Sequence, residues 1–309
     1  MILPSPFSTA PSGARPARCY DGRVFNRQRT GSVVCPSCGN LVGVNDERCY
    51  NCGRWNPGLW GFTPLLRRLG NDLGFTPMVI GGCTLLYLAS LLLSRGDIGM
   101  NGLFSLLSPS TEAMFLLGAS GAIPVFRFDR WWTVLSAGWL HGGLLHILFN
   151  MMWVRDLGPA TGNLFGPSRL VLIYTIAGVA GFAASSVFGL LFPGVPILGG
   201  AGFTIGASAS IFGLLGALVR YGHRTGSSLV RSQAWGYAVT LFVFGLIMPG
   251  VDNWAHAGGF VGGYVAAAVF DPTQREKPIH LVLALGALAL TALSIVASLL
   301  TGLALFGRS

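Results

Sequence analysis

Three imidazoles, one amide and one hydroxyl lie in stretches that are otherwise apolar: His141, His146 and Asn150 in HGGLLHILFN, Ser208 in GASASIFG, and His256 in NWAHAGGFVGG. Polar and ionisable groups inside apolar helices are expensive and point to function. A hydroxyl beside an imidazole is the minimum for acyl transfer, because the imidazole takes the hydroxyl proton as the oxygen attacks a carbonyl. His146 and Asn150 are four residues apart and stack on one helical face. A lone histidine in such a helix is ordinarily a packing residue. A lone serine ordinarily bonds back to its own helix, and Ser210 is read that way. Three histidines and an asparagine beside a glycine-flanked serine are harder to dismiss.

A second constellation is chemically different. Cys35-x2-Cys38 and Cys49-x2-Cys52 are separated by ten residues, and each pair is followed by glycine, Gly39 or Gly53. Four thiolates on two such knuckles satisfy a tetrahedral Zn²⁺ with no open position, which makes the expected site structural rather than catalytic. Redox-active pairs are the other reading, and nothing around them has the βαβ pattern of a redox domain. Cys19 and Cys83 are left over and read as structural or inert.

These residues must be held by a chain of 309 residues, of which 52% are hydrophobic and only 10% charged, with a mean hydropathy of +0.61. Soluble domains carry about 25% charged residues. An ordinary cytosolic enzyme, a disordered chain and a nucleic-acid binder with a long basic face are excluded. The excess of positive charge, +9, is instead expected to set membrane topology.

Residues 1–34, rich in Pro, Ser and Gly, read as a disordered lead-in without a signal-peptide core. A zinc-ribbon-like module follows at 35–56, then a linker or interfacial piece at 57–76 containing FTPLLRRLGNDLGF. From 77 to 271 apolar stretches predict spans at about 77–94, 134–154, 169–191, 205–220, 234–249 and 254–270, and a seventh at 279–305 lies in the tail 272–309. With the N-terminus in the cytoplasm, sixteen Lys and Arg fall inside and four outside, so the positive-inside rule selects that orientation.

Depth follows from helix rise. Ser208 is 12 residues from Arg220, about 18 Å, and His256 is 15 from Asp271, about 22 Å. His146, nine residues from Arg155, comes out deeper at about 14 Å. Gly206, Ala209, Gly213 and Gly216 on the fourth span, and Gly258, Gly259, Gly262 and Gly263 on the sixth, allow the close approach that a Ser–His contact needs.

Together these residues resemble the rhomboid family of intramembrane serine proteases over residues 77 to about 271. The resemblance rests on Gly206-Ala207-Ser208-Ala209, on His141-x4-His146-x3-Asn150 and on Ala255-His256-x2-Gly259. It implies an all-α polytopic membrane protein with a rhomboid-like six-helix core, here extended by one C-terminal helix and preceded by the zinc-ribbon-like domain. It implies Ser208 as nucleophile and His256 as general base and then acid. His146, Asn150 and the Ser208 amide would form the oxyanion hole. His141 would order the outer loop, Gly206 would precede the nucleophile, and Phe212 would pack on the His256 ring.

Asp252, one turn before His256, is read as a solvated loop residue, leaving a dyad. Two positions depart from the family pattern. Ala209 stands where Gly is common, with a methyl that could narrow substrate approach. Trp132-Thr133 stands where the outer loop usually has Trp-Arg, with Arg130-Trp131 as the substitute.

The resemblance implies transmembrane protein substrates in the lipid bilayer, no catalytic cofactor and no nucleic acid. A structural Zn²⁺ in the N-terminal module comes from the cysteine spacing; that module either recruits a cytoplasmic protein partner or substrate, or caps the N-terminus. A bacterial inner membrane is the expected location. The competing readings are a catalytically silent relative that binds transmembrane segments, and a transporter using intramembrane histidines. Both Ser208 and His256 are present, the acidic residues fall in loops or tails, and no two-fold repeat is evident.

Overall fold

The structure is a computed structural model that describes residues 27–35, 39–63, 69–100, 102, 105–195 and 199–306. It divides into two compact units, Met1–Leu66 and Arg67–Ser309. Within the first, β1 (Ser32–Val34) pairs antiparallel with β2 (Leu41–Gly43), Val33 facing Val42. The lead-in expected to be unstructured through residue 34 therefore enters the sheet at Ser32; its residues 1–26 lie outside the described residues. In the segment expected as a linker, Leu59–Gly61 forms a 3-10 turn and buried Thr63 donates to the Gly58 carbonyl at 2.8 Å.

The second unit is helical: α1 (Phe75–Leu93), α2 (Thr111–Leu117), the single turn α3 (Thr133–Ser136), α4 (Leu144–Phe165), α5 (Pro167–Leu191), α6 (Ser208–Thr225), α7 (Ser228–Ile247), α8 (Asn253–Val269) and α9 (Pro278–Phe306). Three of these, α1, α5 and α9, are each long and apolar enough to cross a membrane on length and composition. The other four predicted spans are helices of 17 to 22 residues. Rows of exposed apolar side chains, such as Leu285, Leu293, Leu300 and Leu303 on α9, form faces suited to lipid rather than water. The protein is an all-α polytopic membrane protein.

One span falls elsewhere than its hydropathy predicts. The apolar run from residue 134 is not continuous helix: after α3 and a 3-10 turn at Ala137–Trp139, Leu140 is extended and the Gly142–Gly143 pair breaks the chain before α4 begins. At its other end α4 runs past Arg155 and through Pro159 to Phe165, because a helix leaving hydrocarbon keeps its backbone bonds although its side chains turn polar. His146 therefore lies in the first turn of α4. The depth that placed it below Ser208 assumed that the span ends at Arg155, and is corrected here.

The core is organised around α8, which packs most extensively on α6 and α5. Glycines make this contact. A methyl on Gly263 would overlap the Gly213 carbonyl of α6, and one on Gly259 the Ala209 carbonyl. On the α5 side, a methyl on Gly258 would stand 2.7 Å from the Ala184 Cβ. Small residues let helix backbones approach closely where burial against lipid supplies no driving force.

The connection between α8 and α9 is fixed to the core by Arg169 in the first turn of α5. Its guanidinium, 2% exposed, donates to the carbonyls of Asp271, Gln274 and Arg275 at 2.7–2.9 Å. Glu276 accepts the Arg169 backbone N–H at 2.9 Å. Beside it, the hydrogen bond from Arg224 holds the Asp271 carboxyl well below its usual range.

Candidate active site

Ser208 is the first residue of α6 and is half-buried. The first N–H groups of a helix have no intrahelical acceptor and the helix dipole is positive there, so this end favours developing negative charge. The segment leading to it is held by backbone bonds: Ser120 and Thr204 exchange both, at 3.1 and 2.8 Å, and the Gly206 N–H donates to the Ala137 carbonyl at 3.0 Å. Gly206 has φ +120°, and a methyl there would stand 2.7 Å from His146 Nε2. Only glycine meets both conditions.

The His146 Nδ1 accepts the Gly142 N–H at 3.2 Å. A neutral imidazole that accepts at Nδ1 carries its proton on Nε2, the nitrogen nearest Gly206. Gly142 thus selects the tautomer that donates toward the start of α6, a role that the residue types alone did not mark. His141 is fully buried with its ring 5.1 Å from that of His146, edge to face. Asn150, 6% exposed, donates from Nδ2 to the His146 carbonyl at 2.8 Å, and its second amide hydrogen remains for another acceptor.

Phe212 stacks on His256 with centroids 4.2 Å apart and planes 17° apart. Phe212 is one turn after Ser208, so the face of α6 that begins with the hydroxyl continues onto the imidazole. His256 is 6% exposed, and its Nδ1 has no hydrogen-bond partner among the described residues.

Asp252 is not the solvated loop residue that its position suggests. It caps α8, accepting the Ala255 N–H at 3.0 Å, and its other oxygen accepts from the Ser185 hydroxyl of α5. Both oxygens are used away from the imidazole. The signal was available, since Asp just before a small-residue helical run is an N-cap pattern.

Three further expectations need correction. Ser210 does not bond back along its own helix; its hydroxyl donates across to the Tyr174 carbonyl of α5 at 2.8 Å. The Ala209 methyl does not narrow the approach to the site, because Ala209 is 0% exposed and packs against Gly181 and Gly259. In the loop before α4 Arg130 is buried, but Trp131 is 67% exposed, and it is Trp132 that shares Ser298 with Arg130.

In the cysteine unit, the sulfurs of Cys35, Cys49 and Cys52 all lie within 4.8 Å of one another, with Cys35 and Cys52 at 3.8 Å. A tetrahedral site with metal–sulfur bonds of about 2.3 Å has sulfur–sulfur edges of about 3.8 Å, so the sulfurs fit that geometry. The two knuckles are alike: Cys35 N–H donates to Asn40 and Cys49 N–H to Arg54, each at 2.8 Å, while Gly39 and Gly53 bond back to Cys35 and Cys49, each at 2.9 Å. Cys38, the fourth expected ligand, lies outside the described residues.

Comparison with known proteins finds a family match that lies within the membrane unit. Residues 129–272 match the family described as the Rhomboid domain. RHOMBOID-like protein 1 of Arabidopsis thaliana is 32% identical over 170 residues, 53% of this chain and 41% of the relative. Rhomboid protease GluP of Bacillus subtilis is 32% identical over 164 residues, 52% of this chain and 30% of the relative. Inactive RHOMBOID-like protein 8 of Arabidopsis thaliana is 28% identical over 181 residues, 56% of this chain and 48% of the relative. The chain spans half or less of the length of these relatives. The matches support the rhomboid family for this segment of the chain.

Proposed function

We propose that this chain is an intramembrane serine protease that hydrolyses peptide bonds in or near transmembrane segments of membrane proteins. The observation that carries this reading is that imidazoles from α4 and α8 lie beside the start of α6, whose first residue is Ser208. His146 lies against Gly206, and His256 lies on Phe212.

In this mechanism the Ser208 Oγ attacks the scissile carbonyl carbon while its proton passes to His256. The carbonyl oxygen becomes an oxyanion, bound by His146 Nε2–H, the Asn150 amide and the Ser208 N–H. Removing one such donor typically lowers kcat by about 10²–10³. As the C–N bond breaks, His256 returns the proton to the leaving amine, and an ester to Ser208 remains. Water, deprotonated by His256, then releases the acid and restores the hydroxyl. His141 supports the His146 ring.

The core of this protease is residues 77–271, with the N-terminus cytoplasmic and the chain in a bacterial inner membrane. The module at 35–56, together with β1, binds a structural Zn²⁺ through Cys35, Cys38, Cys49 and Cys52, and serves either to recruit a partner or to cap the N-terminus. Catalysis needs no cofactor.

The test is cleavage of a model single-span substrate in liposomes by the wild type, Ser208→Ala and His256→Ala. Cleavage by the wild type alone is the expected result. Folded wild type that cuts none of several substrates would favour the second reading, a catalytically silent binder of transmembrane segments, which the match to a relative named inactive keeps in view.

A further inference from the structure

The C-terminal helix α9 lies outside the segment that matches the family, and the dyad chemistry makes no use of it. Its outer half nevertheless holds a buried cation. Arg130, 1% exposed, sends one guanidinium nitrogen to the Phe115 carbonyl of α2 at 2.8 Å and the other to the Ser298 carbonyl of α9 at 2.6 Å. Its charge also lies 4.1 Å from the Phe115 ring centroid. Burial lowers its pKa only to about 10, so it stays charged at neutral pH. Beside it, Trp132 Nε1–H donates to the Ser298 hydroxyl at 3.2 Å, and Ser294 donates to the Trp132 carbonyl at 2.7 Å.

From this clamp a set of hydrogen bonds runs to Thr204 and Gly206, in the segment just before Ser208. Thr133 Oγ1 donates to the Arg130 carbonyl at 2.8 Å and lies 3.3 Å from the Ser120 hydroxyl. Ser136 donates to the Gly118 carbonyl at 2.8 Å. Gly118, at φ +105°, has no room for a methyl, which would stand 2.7 Å from the Ser298 hydroxyl. Residues 120–123 then hold the segment before Ser208: Ser120 pairs with Thr204, Ala122 N–H donates to Ala201 and Ile123 N–H to Gly202, while Ala137 accepts from Gly206. Nearly all acceptors are main-chain carbonyls, so the frame is defined by where the chain runs.

We propose that α9 is a working part of the active-site framework: through Ser294 and Ser298 it fixes Arg130 and Trp132, and these fix the 118–137 frame on which the approach to Ser208 is hydrogen-bonded. Arg130 is then a positioning residue for the nucleophile. The proposal rests on the protease reading only for its effect on rate. Its effect on the frame is independent of that reading.

The experiment uses the full chain in detergent with Arg130→Gln and Arg130→Lys. Hydrogen exchange at Thr204 and Gly206 is read by mass spectrometry, and the rate of covalent labelling of Ser208 by a fluorophosphonate is measured per folded molecule. Losing a charge-assisted bridge between two carbonyls opens the frame locally, so Arg130→Gln should lower protection at Thr204 and Gly206 about ten-fold. Labelling of Ser208 should slow by a similar factor, while amides in the middle of α6 and α8 keep their protection. Lysine keeps the charge but not the fork and should fall between the two.

Unchanged protection at Thr204 and Gly206, or a loss spread evenly over every helix, would overturn the proposal and leave Arg130 a plain stabiliser. If Arg130→Gln does not fold, Ser294→Ala with Ser298→Ala removes the hydroxyl contacts alone and should give a smaller loss at the same two amides; no loss there overturns the idea equally. Wild type that fails to react with the probe counts against the protease reading, and the exchange data still decide the framework.

Discussion

Around Cys35, Cys49 and Cys52 the sulfurs are gathered by two three-residue strands and two turns, and the hydrophobic cluster behind them consists of Val33, Val42, Val44 and the cysteines themselves. Around Ser208 and His256 the chain spends helices of 18 and 17 residues, packed through glycines against a third of 25. A cluster of three valines cannot by itself offset the ordering of some thirty residues, at about 1–2 kcal/mol each for the backbone. On the proposed zinc reading, the site in the small unit makes the fold. In the membrane unit the fold makes the site: glycines bring the α6 and α8 backbones together, the His256 ring adds its stack on Phe212, and hydroxyl and imidazole arrive where that packing puts them.

Breaking the first half of that contrast should give the largest effect. Structural zinc in small modules contributes on the order of 10 kcal/mol, so stripping the metal should unfold the cysteine unit outright. Amide exchange in β1 and β2 would rise to unprotected rates after chelation, while the helices of the membrane unit keep theirs. Protection that survives complete metal removal would show that the unit folds without its site.

The second half is broken by Gly263→Ala. The added methyl would overlap the Gly213 carbonyl, a backbone atom that cannot rotate away, and overpacking of this kind costs about 1–3 kcal/mol or more. In a domain of this size the thermal midpoint should fall by roughly 2–12 °C, and cleavage should fall with it although no catalytic group was touched. A midpoint within a degree of wild type would mean that α6 and α8 can separate freely, and the placement of Ser208 by packing would lose its basis.

The same contrast governs what could be read from the sequence. The cysteine knuckles and the glycine rows are patterns of residue type at fixed spacing, and the structure shows the sulfurs gathered and the α6–α8 backbones close. The start of α4 was misplaced because hydropathy reports lipid preference, whereas the helix begins where Gly142 and Gly143 let it and ends ten residues beyond Arg155. The frame from Arg130 to Gly206 was illegible for a different reason. Its acceptors are the carbonyls of Phe115, Ser298, Gly118 and Ala137, and every residue has a carbonyl. Sequence marks a donor such as Arg130 but not the bond it makes 168 residues away.

Asp252 tests the finest point of the comparison, whether the membrane unit carries any charged group that serves chemistry rather than structure. Its two oxygens hold the Ala255 N–H and the Ser185 hydroxyl. Ser185 also accepts the Ala201 N–H at 3.2 Å, so the carboxylate ties the start of α8 to α5 and to the chain ahead of Ser208. Asp252→Ala removes an N-cap, which costs about 1 kcal/mol, and should lower the thermal midpoint by a few degrees. Cleavage by the folded variant should stay within about ten-fold of wild type, whereas losing the acid of a true triad lowers kcat by about 10⁴. Asp252→Asn keeps an oxygen to cap the helix and should behave nearly as wild type. A loss of about a thousand-fold or more in both variants, with α8 intact, would make the carboxylate the group that orients His256 and stabilises its imidazolium. The site would then be a triad, with one of its members set by a helix cap.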